Sequence, residues 1–212
     1  MLSRTASELY WMARYLERAE SFARVLDVTY KLSMMPRHSQ QQRDLALPLN
    51  LSFTHDLFQA RYARFSMDNL LSFFALDSNN PSSVYSCVEM AWNNAHAVRG
   101  SLSAEVWECI NTTRIQLKKL RQQGVDTIGV DTFFDWVKDR AHLFRGAVFG
   151  TLLRNDALCF IRIGTLIERA IATTQLLLVK DQQLSNDPDS VREYYRLDTL
   201  LRAVSAREAY NS

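Results

Sequence analysis

Acidic and basic side chains alternate near the start of the chain at spacings that suit a charged site. Glu17 and Arg18 are adjacent, and Arg24 stands four residues after Glu20 and three before Asp27. Side chains three or four residues apart meet on the surface of a helix, so this row can form ion pairs along one face. A guanidinium group also binds a carboxylate through two parallel N–H donors. The row therefore suits either a pocket for a small charged group or an ion-pair network that fixes helix register.

A second Glu-Arg pair, Glu168-Arg169, follows the first at an offset of 151 residues. Both pairs are followed by alanine, and their apolar flanks share one register over about 20 residues, which indicates a duplicated unit. We expect one domain over 1–212, with a first repeat over 1–123 and an incomplete second repeat over 131–212. If the two helices face each other, Arg18 and Arg169 could hold an amino-acid or peptide carboxylate.

The motifs of several common functional sites are absent from the sequence. It contains no C-x-x-C, no zinc-ligand spacing, and no His three residues after a Glu, which a helical di-iron site requires. Phosphate-binding glycine loops and the G-x-S-x-G of hydrolases are also absent. We therefore predict no metal site and no cofactor, and we assign no catalytic residue.

The composition is that of an ordinary globular chain. The formal net charge is +2, from 25 basic and 23 acidic residues, which is too balanced for a protein that mainly binds nucleic acid. Stretches without charge are far shorter than the roughly 18 residues of a membrane span. Cys87, Cys109 and Cys159 are widely spaced and lie in apolar patterns, so we expect free, buried thiols. We expect a cytoplasmic protein with neither a nucleic acid nor a membrane as partner.

Apolar residues recur every three or four positions through most of the chain and predict an all-α bundle of six to seven helices. The first helix runs over Ser3–Ser33, and Pro48 is expected to break the next stretch. Asn80 is the predicted N-cap of a helix that starts at Pro81. The G-x-x-x-G over 146–150 is expected to mark close helix packing. The remaining predicted helices cover about 53–76, 81–98, 103–123, 131–150, 156–180 and 190–207.

Several longer segments occur in a fixed order along the chain. They are Ser3-Arg4-Thr5-Ala6, the twelve residues over 9–20, Asn80-Pro81-Ser82-Ser83-Val84, Ser103-Ala104-Glu105-Val106-Trp107-Glu108, the six residues over 133–138, Phe144-Arg145-Gly146 and Glu168-Arg169-Ala170. Together these segments resemble the alpha-E domain family, an all-helical family named for its Glu-Arg motif. The resemblance covers essentially the whole chain and implies an all-helical fold.

The resemblance implies a biochemical setting for the chain. Members of that family are typically encoded beside, or fused to, a circularly permuted ATP-grasp ligase and a transglutaminase-like peptidase. This setting implies a system that makes or trims an amide-linked peptide or peptide tag, with this chain as a non-catalytic binding or scaffold module. One alternative is a catalytic component of that pathway that uses Glu17, Arg18, Glu168 and Arg169. The other is a purely structural bundle that mediates oligomerisation.

The chain departs from the family pattern at charged positions of its second half. Ile171, Gln175 and Leu178 stand where the family pattern carries an acid, an arginine and another acid, which argues against strong catalysis. The family pattern also continues past the last residue, so we expect an uncovered apolar face and pairing with a second copy or a full-length relative. The candidate ligand-binding residues are Glu17, Arg18, Glu20, Arg24, Asp27, Asn94, Arg99, Glu168 and Arg169.

Overall fold

A computed structural model describes residues 1–34, 41–184, 197–198, 201–204 and 206–212. These residues form helices and no strand, which confirms the predicted all-α class. The helices are α1 Ser3–Ser33, α2 Gln41–Ser52, α3 His55–Gln59, α4 Met67–Ala75, α5 Val84–Ala97, α6 Ala104–Gln123, α7 Val125–Ile128, α8 Val130–Thr151, α9 Asp156–Leu184 and α10 Arg207–Asn211, with a 3-10 turn over Arg99–Ser101.

The first helix forms the centre of the bundle, and α2, α5, α8 and α9 pack around it. Its apolar residues recur at spacings of three and four and form a buried seam, in which Leu9, Met12, Ala23 and Leu26 are fully inaccessible to solvent. Burial of one leucine-sized side chain stabilises a fold by about 1.5–3 kcal/mol. The seam therefore contributes to the stability of the packing around α1.

The two helices that carry the Glu-Arg pairs run parallel to each other. Glu17 of α1 binds Arg169 of α9, and further along both helices Val25 and Leu176 share a buried cluster. The helix α8 runs in the opposite direction, because its first half pairs with the end of α1, where Lys138 binds Asp27 at 3.2 Å. The parallel arrangement keeps equivalent turns of α1 and α9 at the same level.

A glycine in α9 allows the two parallel helices to approach closely. A Cβ atom at Gly164 would overlap the carbonyl oxygen of Tyr10 and lie 3.2 Å from the Cβ of Ala13. The close packing predicted at Gly146 and Gly150 is wrong for the described part of the chain, where a Cβ on either glycine has no neighbour within 4 Å. Both glycines lie on the outer side of α8, which the spacing alone does not reveal.

Two predicted helix boundaries before residue 77 are wrong. The helix α2 continues through Pro48, because buried leucines on both sides offset the one backbone hydrogen bond that proline removes. The single helix predicted over 53–76 is split into α3 and α4. Phe53 adopts φ 54° between α2 and α3, and Ser66 starts α4 by accepting a hydrogen bond from the backbone N–H of Asn69.

Asn80, the predicted N-cap of the helix that corresponds to α5, has another role. Asn80 is fully buried; its side-chain N–H donates to the carbonyl of Phe73 at 3.1 Å, and its oxygen accepts from the N–H of Ser82 at 2.9 Å. Ser83 is the actual cap, because its hydroxyl accepts from the N–H of Ser86 at 3.0 Å. The helix α5 therefore begins three residues later than predicted.

Ten α-helices occur in the described residues, against six or seven predicted. The additional helices are α2, where a break at Pro48 is predicted, and α3, α7 and α10, which have at most five residues and are too short to show an apolar period. Most of the helix predicted over 190–207 lies outside the described residues. Of the helices described, none has both the length and the apolar character that a membrane span requires.

Two of the three cysteines are buried, as predicted, and all three are free thiols. Burial raises the pKa of Cys87 to about 12 and outweighs the opposing effect of the nearby Arg18 guanidinium, so this thiol stays protonated at neutral pH. The prediction is wrong for Cys159, which is exposed. Cys159 lies on α9, whose outer side is left uncovered by the described residues.

That outer side of α9 is apolar although it faces solvent. Ile163 and Leu177 are 45% and 59% exposed, whereas Met12 and Leu26, at the equivalent positions of α1, are fully buried. In α1 these positions contact clusters completed by α5 and α8. Within the described part of the chain, α9 thus exposes the face that α1 buries.

Candidate functional site

The two Glu-Arg pairs exchange partners across the interface between α1 and α9. Arg169 donates from Nε to Oε1 of Glu17 at 2.7 Å and from Nη2 to Oε2 at 3.2 Å. Arg18 binds Glu168 through the same atoms, at 2.6 and 3.1 Å. The two ion pairs are equivalent when the helices are interchanged, and each has the two-point geometry that makes arginine–carboxylate pairs strong.

Further arginines complete the network around these pairs. Arg14 donates to Glu168 at 2.5 Å, and Arg24 donates to Glu20 at 2.8 Å. Arg145 of α8 donates to Glu20 as well and reaches Glu17 at 3.4 Å. Arg14 and Arg145 are not among the site residues predicted from the sequence. The available signals were the position of Arg14 one helical turn before Arg18 and the place of Arg145 in a segment that resembles the alpha-E family.

The network buries three carboxylates under an excess of positive charge. Glu17, Glu20 and Glu168 are at most 6% exposed, and each of their six carboxylate oxygens accepts from a guanidinium group. Five arginines surround three glutamates, so the described network carries two positive charges more than negative ones. The five arginines keep between 13% and 49% of their side-chain surface exposed, so the excess positive charge stays accessible to an anion.

The pKa values of the network follow from this pairing. Burial alone would raise the pKa of Glu20, but the hydrogen bonds and charges of Arg145 and Arg24 hold it below its usual value. Burial would lower the pKa of Arg18, and the hydrogen bond and charge of Glu168 outweigh it. The hydrogen bond from Arg169 to Glu17 raises the pKa of Arg169. Glu20, Arg18 and Arg169 are therefore charged at neutral pH.

A cavity of about 340 Å³ opens beside the network, between α1, α8, α9 and the end of α2. Its charged lining comes from the Glu-Arg pairs together with Glu20, Arg24 and Arg145. Arg18 and Arg169 each leave Nη1 without a hydrogen bond to any residue of the described ranges, because Nε and Nη2 make the bonds to glutamate. Unused guanidinium donors beside a cavity are suited to bind an anionic ligand.

Six of the nine predicted site residues line this cavity, and three lie elsewhere. Asp27 binds Lys138 and Lys31, so its carboxylate serves the contact between α1 and α8. Arg99 lies over the ring of Trp107, with 4.9 Å between the guanidinium carbon and the ring centroid. Asn94 belongs to α5, and its side-chain nitrogen is buried without a hydrogen-bond partner among the described residues. The shared helical pattern does not distinguish these positions from the cavity.

The described residues of the site favour neither metal coordination nor proton donation. No group of three or more His, Cys, Asp or Glu side chains in the described part of the chain could hold a metal ion. A carboxylate whose pKa is lowered, as that of Glu20 is, gives up its proton well below neutral pH and is a poor general acid there.

Comparison with known proteins supplies a family match over the whole chain. The model of a family described as a predicted alpha-helical domain with a conserved ER motif matches residues 1–212, which is the whole chain. In one-letter code ER is Glu-Arg, and this chain has Glu-Arg pairs at 17–18 and 168–169. No curated protein and no solved structure matches the chain.

Proposed function

The chain belongs to the Alpha-E family, and on this basis we propose that it is a non-catalytic helical module whose Glu-Arg pocket binds an anionic group. The observation that carries this proposal is the cavity beside the arginine-rich network, with unused donors on Arg18 and Arg169. A purely structural network would need neither the cavity nor the two positive charges in excess of the carboxylates.

The setting of the module comes from the resemblance of its segments to the alpha-E family. The proposed partners are a circularly permuted ATP-grasp ligase and a transglutaminase-like peptidase. A ligase of this kind joins a carboxylate to an amine, and a peptidase breaks such an amide bond. A pocket for a carboxylate would hold the peptide end on which these enzymes act, while the chemistry takes place on the partners.

A non-catalytic role also fits the state of the carboxylates. Glu17 and Glu168 are each saturated by two arginines, so neither is available to remove a proton from a substrate. The alternative of a catalytic component would require one of them to leave its arginine partners. Binding requires no such change.

The duplication expected from the sequence is part of the proposal. Repeats over 1–123 and 131–212 would place equivalent helices in equivalent surroundings. Two observations support this origin. The helices α1 and α9 run parallel, and they are joined by two equivalent ion pairs, Glu17 with Arg169 and Glu168 with Arg18.

We also propose that a second copy of the chain covers the outer face of α9. Ile163, Leu166 and Ile167 expose apolar side chains at a spacing of three and four residues, which is the seam through which helices pair. A single seam can pair with itself across a two-fold axis, as most homodimers do. A chain that stays monomeric would instead point to a full-length relative as the partner.

The function is tested with the proposed partner, a circularly permuted ATP-grasp ligase from the same organism. Purified chain and ligase are mixed, and both complex formation and amide-bond formation from ATP are measured. We expect a complex, and we expect amide formation to fall when Arg169→Met replaces the wild type. The matched control is Arg162→Met, which removes an exposed arginine from the same helix away from the cavity. Amide formation that is unchanged by adding or altering the chain would contradict the proposal.

A further inference from the structure

The cavity beside the Glu-Arg network has two chemically different walls. Its charged wall is formed by α1 and α8, through residues such as Arg24 and Arg145, and by the Glu168-Arg169 pair of α9. Its apolar wall comes from the turn of α9 that follows this pair, from the end of α2 and from residues 203–204. The apolar side chains considered on this wall are Leu51, Phe53, Ile171, Leu176 and Val204.

The difference between the walls follows from the two repeated helices. At an offset of 151 residues, Ile171 of α9 takes the place of Glu20 of α1, and Gln175 takes the place of Arg24. All four residues line the cavity. The first helix therefore supplies charge, and the second supplies an apolar and a neutral polar side chain at the matching level.

We propose that the pocket binds the C-terminal end of a peptide whose last side chain is apolar. The carboxylate binds the free Nη1 donors of Arg18 and Arg169, and the apolar side chain packs against Ile171 and its neighbours. This inference rests on the proposed anion-binding function and adds the chemical class of the ligand.

The state of the glutamates favours a peptide end over a free amino acid. A free amino acid brings an ammonium group, which would need a carboxylate with an unused oxygen. All six oxygens of Glu17, Glu20 and Glu168 already accept hydrogen bonds from arginines. The excess of two positive charges in the network would also repel an ammonium group. An acylated nitrogen, as in a peptide, avoids both problems.

The size and the rim of the cavity fit a short chain end. Its volume of about 340 Å³ is at the small end of the range of roughly 300–1,000 Å³ found for ligand pockets. Arg169 is 49% exposed and Phe53 is 82% exposed, so the cavity is open to solvent where these side chains lie. The rest of a peptide can leave through that opening.

The inference is tested by calorimetric titration of the intact chain with four small probes. N-acetyl-L-leucine carries both recognised groups, N-acetylglycine lacks the side chain, N-acetyl-L-leucinamide lacks the carboxylate, and L-leucine carries a free ammonium group. Burial of a leucine side chain is worth about 1.5–3 kcal/mol, so we expect N-acetyl-L-leucine to bind about tenfold or more tightly than N-acetylglycine. The amide and the free amino acid should bind more weakly than N-acetyl-L-leucine by a similar factor.

A pair of variants locates the apolar subsite. Ile171→Ser should remove most of the preference for leucine over glycine and leave the affinity for N-acetylglycine unchanged. Leu166→Ser makes the same kind of change on the exposed outer face of α9 and should preserve the preference. Thermal unfolding checks that both variants are folded, and the probe series on the wild type needs no variant.

The outcomes separate the two proposals. Equal affinity for N-acetyl-L-leucine and N-acetylglycine would overturn the apolar subsite and leave the anion-binding function standing. Equal or tighter binding of L-leucine would overturn the assignment to a peptide end. Failure of every carboxylate probe to bind would contradict the proposed function itself.

Discussion

Glu17 binds Arg169, a residue 152 positions away in the chain, through both of its carboxylate oxygens. Its neighbour Arg18 does not share this pair but binds Glu168 on the other helix. The adjacent acid and base of each Glu-Arg motif thus serve two separate contacts. The crossed exchange requires the two helices to run parallel with the two motifs at the same level.

The two exchanged pairs differ in burial, and we predict that their stabilities differ. Arg18→Met leaves the buried Glu168 with Arg14 alone, so we expect a loss of about 3 kcal/mol in the free energy of unfolding. Arg169 is 49% exposed, and solvent screens its pair, so Arg169→Met should lose about 1 kcal/mol or less. Urea denaturation measures both. Equal losses would show that the two pairs are energetically equivalent despite their different exposure.

Replacing glycine by alanine should have opposite effects on stability at Gly164, where α9 approaches α1 closely, and at Gly146 on the outer side of α8. Gly164→Ala forces a methyl group against the backbone of Tyr10, so we expect a loss of about 1–3 kcal/mol or more in unfolding free energy. Gly146→Ala places the same methyl group in open space on α8, and the lower backbone entropy of the unfolded chain should stabilise the fold by about 0.5–1 kcal/mol. Thermal unfolding of both variants measures the two changes in stability. A stable Gly164→Ala variant would argue against the described approach of the helices.

The lowered pKa of Glu20 predicts how stability depends on pH. A carboxyl group whose pKa is lower in the folded chain stabilises the fold above its ordinary value, 4.5, and loses this effect as the pH falls through the folded pKa. Glu20→Gln should therefore be less stable than the wild type at about pH 7, with a difference that shrinks below pH 4.5. Denaturation at a series of pH values measures this. A difference that stays constant into the acid range would rule out Glu20 as its source.

The apolar outer face of α9 predicts a concentration-dependent dimer. Light scattering after size-exclusion chromatography should give the dimer mass for the wild type, and Leu166→Glu should shift the population to monomer. Ile115→Glu is the matched control, because Ile115 is similarly exposed but lies on α6. A monomeric wild type, or equal effects of the two substitutions, would contradict pairing through α9.

The sequence predicts the parts of the fold that depend on local periodicity. The buried seam of α1 and the long helices α6, α8 and α9 repeat their apolar residues over several turns, so their class and approximate extent follow from spacing. The continuation of α2 through Pro48 and the hydrogen bond of the buried Asn80 side chain to Phe73 depend on tertiary packing. For those positions local preferences point to another structure, and packing overrides them.

The candidate site is predictable to a similar degree. The offset of 151 residues relates Glu17 to Glu168, but the choice of partners across the interface depends on the direction and level of the helices. Arg145 reaches Glu20 only because α8 lies antiparallel to α1. Asp27 shares the helical pattern of the site residues and is taken by Lys138 instead. Spacing identifies helix faces, whereas the partner of each face is decided by tertiary packing.

The most direct test of the account is a calorimetric titration of N-acetyl-L-leucine into the wild type, Arg169→Met and Arg162→Met. A hydrogen bond to a charged group contributes about 1.5–3 kcal/mol, so we predict a loss of about tenfold or more for Arg169→Met. Arg162→Met removes the same charge from the same helix outside the cavity and should bind within about twofold of the wild type. Equal losses in the two variants, or no binding to the wild type, would contradict a carboxylate pocket at the Glu-Arg network.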